Sequence, residues 1–185
     1  MDESIFEYKR KSSIEKGEIY FWTATIKGWQ RLLQNDRYKD VIISSLEYLS
    51  NSGKIEVFAF VIMPNHIHLI WRIIENNGKE TPQGSFLKFT AHEFKKMLKR
   101  ENGILSNYAV DANNKKYEFW QRNSLAIQLF TNEVAFQKMD YIHLNPLAEH
   151  WQLATDPCDY KYSTAGFYEQ DIKQFSFVKD LRDEF

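Results

Sequence analysis

Apolar and polar positions divide the chain into alternating strand and helix patterns. Residues 1–16 are charged and aperiodic, which predicts a tail. Residues 18–26 are dense in β-branched and aromatic side chains and predict a strand, ended by Gly28. Tyr38, Val41, Ile42, Ser45, Leu46 and Leu49 recur every three or four positions after Asp36, so a helix capped by Asp36 and closed by Gly53 follows. Residues 55–62 are apolar almost throughout, as suits a central strand covered on both faces. Residues 66–73 predict its antiparallel neighbour, the two joined at Met63-Pro64-Asn65. A polar loop, 75–84, precedes a helix over 85–99, with Phe86, Phe89, Phe94, Met97 and Leu98 on its apolar side. Residues 102–116 read as irregular loop, and 118–130 as a strand or strand with loop containing Trp120, Leu125, Ile127 and Leu129. A last helix, capped by Thr131 or Asn132, carries Ala135, Met139 and Ile142 and ends near Asn145-Pro146, because a residue before proline resists helical geometry.

The order βαββαβα predicts an α+β sandwich, an antiparallel sheet with helices on one face, of ferredoxin-like or RRM-like kind. At 185 residues and 43% hydrophobic content the chain suits one domain. A net charge of −1 argues against wrapping nucleic acid by bulk charge, although basic residues can still gather on one face. The single cysteine, Cys158, has no internal partner for a disulfide, no apolar run approaches membrane-spanning length, and the acidic opening Met-Asp-Glu-Ser is unlike a secretion signal. A cytoplasmic protein without membrane attachment is the expectation.

Chemistry concentrates at two places. In 66–73 alternate side chains share a face, so His66, His68, Ile70 and Arg72 point one way. At a rise of about 3.3 Å per residue the histidine Cα atoms lie roughly 7 Å apart, and both rings reach a single cation. A His-x-His triplet alone is a weak pattern, but two imidazoles on an otherwise apolar hairpin carry a desolvation cost that a ligand would offset. In the last helix Tyr141 and Asn145 are four apart and project from one side, while Ala135, Met139 and Ile142 face the sheet. Two imidazoles and an amide oxygen would bind a divalent cation with positions left open for phosphodiester oxygens. A phenol, with an ordinary pKa of about 10, then needs a neighbouring cation or base to attack phosphorus. Lys95, Lys96, Lys99 and Arg100 form a basic helix face that suits either solvent or phosphates.

Pro64-Asn65-His66-Ile67-His68-Leu69, followed far downstream by Asp140-Tyr141-Ile142-His143-Leu144-Asn145-Pro146, resembles the REP-associated tyrosine transposases, single-tyrosine members of the HUH endonuclease superfamily of insertion-sequence type. Trp120-Gln121-Arg122 and Tyr160-Lys161-Tyr162-Ser163-Thr164 extend the likeness to about Tyr168. The chain departs from the pattern at Glu149, where a basic residue and glycine are common, and at 123–126, which replaces an aromatic-Glu-His run. The resemblance implies an HUH endonuclease fold over 17–168, with 169–185 as a C-terminal extension. It implies that His66 and His68 are metal ligands with Asn145 as the third, that the ion is Mg²⁺ or Mn²⁺, and that Tyr141 is the nucleophile. It further implies single-stranded, hairpin-forming DNA as substrate, cleaved and rejoined through a 5′-phosphotyrosine. Arg72, Lys95, Lys96, Lys99, Arg100, Arg122 and Lys138 are the residues assigned to DNA, and both a monomer and a homodimer are compatible.

Two other functions compete. A non-catalytic single-stranded nucleic-acid-binding module would use the aromatic sheet for stacking, but has no use for a phenol beside a metal. A metal-dependent phosphodiesterase would need further His and Asp ligands, whereas the chain continues from His68 as Leu69-Ile70-Trp71-Arg72.

Overall fold

The computed structural model describes residues 14–113, 115–122 and 124–185. Strands β1 (Ile19–Thr25), β2 (Ile55–Ile62), β3 (His66–Ile73) and β6 (Leu125–Gln128) form an antiparallel sheet in the order β2-β3-β1-β6. Helices α1 (Asp36–Asn51), α2 (Pro82–Arg100) and α3 (Asn132–Leu144) are the long helices, with a short hairpin of β4 (Ala109–Ala112) and β5 (Lys115–Tyr117) and a short helix α4 (Ala165–Gln170). This is the α+β ferredoxin-like arrangement that the alternation of strands and helices predicts.

Side-chain alternation divides the interior into two cores, one on each face of the sheet. Tyr20, Trp22, Leu69 and Trp71 face α1 and α2, where they meet Ile42, Leu46, Phe86 and Phe94. Trp22 stacks on Trp71 with ring centroids 5.0 Å apart. The other face carries Ile19, Phe21 and Ile70, and against it α3 packs Ala135, Met139 and Ile142. So α1 and α2 cover one face and α3 lies across the other, the face onto which His68 and Arg72 project; the expectation of helices on one face alone is corrected, because both faces of the sheet carry apolar side chains that need cover. A register shift between Val57 and Ala59 turns Phe58 and Ala59 to the α3 side together, as a bulge does.

Several local expectations change. Strand β2 is an edge strand, although its two faces are buried; its open edge is covered by downstream chain, through Ile62 N–H to the Tyr162 carbonyl (2.9 Å) and Lys179 N–H to the Val57 carbonyl (2.8 Å). Asn35 caps α1, its side chain accepting from the Arg37 N–H. Helix α2 begins at Pro82, whose missing N–H costs nothing in a first turn, and Thr81 accepts from the Gly84 N–H at 3.1 Å. Its buried stripe is Phe86, Thr90 and Phe94, leaving Phe89 exposed. The stretch 102–116 holds a 3-10 turn and most of the β4-β5 hairpin. Residues 169–185 pack back on the sheet: Phe177 and Leu181 are buried, and Arg72 pairs with both Glu56 and Glu184. The tail expected over 1–16 lies mostly outside the described residues. No helix among those described is long and apolar enough to cross a membrane.

Candidate active site

The pleat of β3 turns His66 and His68 to the α3 side, where their ring centroids are 4.6 Å apart. They line a pocket of about 710 Å³ together with Thr23, Asn65, Tyr141, Asn145, His150 and Trp151. Each imidazole is anchored at Nδ1. Thr23, the register partner of His68 on β1, places its hydroxyl 2.7 Å from His68 Nδ1. The Asn65 amide oxygen lies 2.6 Å from His66 Nδ1. An amide oxygen only accepts, so His66 carries its proton on Nδ1 and leaves Nε2 as a lone pair for a ligand. Burial lowers the pKa of His66 to about 4, with the charge of His150 adding to the effect. Burial also lowers His68 to about 3, assisted by His66 and Lys138. Both rings are therefore neutral near pH 7, the form in which imidazole binds a metal.

Helix α3 supplies the rest because its buried stripe fixes its rotation. With Ala135, Met139 and Ile142 against the sheet, Tyr141 stands at the pocket mouth, 49% exposed. Its ring meets His68 edge to face at 5.2 Å and Phe21 at 6.1 Å. One turn on, Asn145 caps the helix, and its Oδ1 is buried without a hydrogen-bond partner among the described residues. A buried carbonyl left unpaired costs about 1–3 kcal/mol. An oxygen donor in that condition beside two neutral imidazoles suits a divalent cation that accepts mixed nitrogen and oxygen ligands, so the donor set fits the expected ion. Among the described residues no group of three or more His, Cys, Asp or Glu could hold a metal, and the richer ligand set of a metal-dependent phosphodiesterase has no counterpart there.

The residues assigned to DNA scatter. Lys138 is one turn before Tyr141, with Nζ 5.3 Å from the Phe21 ring centroid and 6.0 Å from that of Tyr141. Arg72 shares the face of the histidines but is committed to Glu56 and Glu184. Lys95, Lys96, Lys99 and Arg100 sit on α2, on the opposite side of the sheet from Tyr141. Lys96 pairs with Glu93 and Arg122 with Glu118, while Lys95 and Arg122 line a separate groove of about 920 Å³ between α2 and the β4-β5 hairpin. Thr23, Trp29, His150 and Trp151, which the motifs do not single out, are brought to the pocket by tertiary contacts. Asn65 was available in the sequence as the residue before His66, but only the structure gives it a hydrogen-bonding task.

No family model matches the chain. A Haemophilus influenzae protein named "Putative REP-associated tyrosine transposase" is 24% identical over 168 residues, covering 89% of this chain and 88% of that protein. A solved structure of a REP-associated tyrosine transposase bound to a REP hairpin superposes with a TM-score of 0.59 at 18% identity, covering 96% of this chain and 93% of the other. The resemblance carried by the two motifs is thus met by a relative of that name, and the fold by a structure of that kind.

Proposed function

We propose that this chain is a transposase-type, metal-dependent enzyme that cleaves and rejoins single-stranded DNA through Tyr141. One observation carries the reading: the Asn145 Oδ1, unpaired among the described residues, two neutral histidines anchored at Nδ1 and an exposed phenol converge on a single pocket. His66, His68 and Asn145 would hold Mg²⁺ or Mn²⁺, which when bound polarises a phosphodiester as a Lewis acid. Tyr141 Oη attacks the phosphorus, forming a phosphotyrosine to the 5′ end as the bond to the 3′ oxygen breaks. The phenol loses one proton and the departing 3′ oxygen gains one, so the step is balanced. The free 3′ hydroxyl can attack the adduct in reverse, which rejoins strands without ATP. Lys138, one turn before Tyr141, adds positive charge beside the phosphate position. The size and topology shared with a hairpin-bound transposase support hairpin-forming DNA as the substrate.

The test is incubation of the protein with labelled single-stranded hairpin DNA and Mn²⁺, followed by a denaturing gel. A slow, heat-stable protein-DNA band that disappears on chelation is the expected result. Cleavage that persists in EDTA, or metal-dependent cleavage that never leaves DNA on the protein, would reject the mechanism.

A further inference from the structure

The outer wall of the pocket has a feature that the cleavage chemistry does not use. Trp29 lines the pocket, is 62% exposed, and lies in the left-handed region at φ 58, next to Gly28 at φ 62. A bulky side chain avoids this region because its Cβ crowds the backbone carbonyl, and an apolar indole gains nothing from facing water. The conformation is nonetheless pinned. The Trp29 N–H donates to the Ile26 carbonyl at 3.0 Å, and Asn65 Nδ2 donates to the Trp29 carbonyl at 3.4 Å. Asn65 is also the residue that holds His66, through its Oδ1. One amide therefore sets both a candidate metal ligand and the strained backbone that presents the indole.

The surroundings narrow what this indole would meet. Trp151, half-buried, lies 5.9 Å from the His66 ring, and the exposed Arg31 guanidinium sits over its ring at 5.4 Å. No ring or cation stacks on Trp29 among the described residues. An open aromatic face and a phosphate-directed site in the same cavity, with a cation over the neighbouring Trp151, match one ligand class, an unpaired nucleotide, whose base has a π-face and whose backbone is anionic. We infer that Trp29 is a stacking platform for an unpaired base adjoining the phosphate held at Tyr141. This rests on the reading of the pocket as a single-stranded DNA site.

The experiment measures the affinity of the full chain, in EDTA so that no cleavage occurs, for two strands of equal length. One is oligothymidylate and the other has the same phosphates with abasic sugars throughout. Trp29→Ala is expected to weaken binding of oligothymidylate by roughly five- to a hundred-fold, leave the abasic strand unchanged, and keep the slope of log affinity against log salt. Trp29→Phe should restore most of the loss. An alanine variant that binds both strands like the wild type, or that weakens both equally, overturns the stacking assignment while leaving covalent adduct formation by the wild type as support for the site. A wild type that binds neither strand overturns both.

Discussion

At the residue scale the site depends on a few polar atoms whose roles differ. Removing Asn145 Oδ1 deletes a buried acceptor with no partner among the described residues. Asn145→Ala is therefore expected to leave the metal-free fold stable to within about 1 kcal/mol while weakening Mn²⁺ binding, read by thermal denaturation and calorimetric titration. A loss of several kcal/mol without any change in Mn²⁺ affinity would make Asn145 a structural cap only. Thr23→Val deletes the hydroxyl at His68 Nδ1 with little change in volume, and Mn²⁺ affinity should fall by roughly 10–100-fold, recovered by Thr23→Ser. His66, His68, Tyr141 and Asn145 were legible in the sequence because strand and helix periods state which side chains share a face. Thr23 was not, since its task arises from cross-strand register with a residue 45 positions away. His143, between Tyr141 and Asn145, has a place in the core instead. It is buried, its Nε2 is 3.0 Å from Thr164 Oγ1, and it points away from the pocket that its neighbours line.

At the element scale hydrophobic periodicity located every long strand and helix, and the 55–62 and 66–73 bounds agree to the residue. It failed where a pattern has two structural solutions. Strand β2 reads as central because both faces are apolar, yet it is an edge strand whose edge is covered by later chain, a pairing that its own residues do not encode. The hairpin β4-β5 reads as loop in the sequence because its few residues alternate too briefly to register. The C-terminal segment that completes this side is expected to matter for stability. Phe177 is buried and stacks on Phe60 at 6.2 Å, so Phe177→Ala should cost about 3 kcal/mol in urea unfolding. A change below about 0.5 kcal/mol would mean that the segment contributes little to the folded state.

At the scale of the whole molecule, the sheet separates two chemistries. The nucleophile and its histidines lie on the α3 side, while the basic face of α2 lies behind the sheet. A short unpaired oligonucleotide bound at Tyr141 should therefore not feel Lys95 or Lys99. Replacing both with Gln is expected to leave the salt slope for such a strand unchanged, where engagement of both would flatten it by about 1.4 units. The net charge of −1 could not separate these cases, because it sums over a surface on which cations are distributed between faces and many are paired to carboxylates.

The proposed chemistry turns on Tyr141 more than on any other residue. Tyr141→Phe removes one exposed oxygen and leaves the ring contacts with His68 and Phe21 available, so Mn²⁺ affinity and folding should hold. The decisive measurement is a denaturing gel of wild type and Tyr141→Phe, each incubated with the same labelled single-stranded hairpin DNA and Mn²⁺. A covalent protein-DNA band from the wild type, and none from a phenylalanine variant that still binds Mn²⁺ and DNA, is the predicted result. Equal bands from both proteins would contradict the assignment and move the nucleophile to another residue.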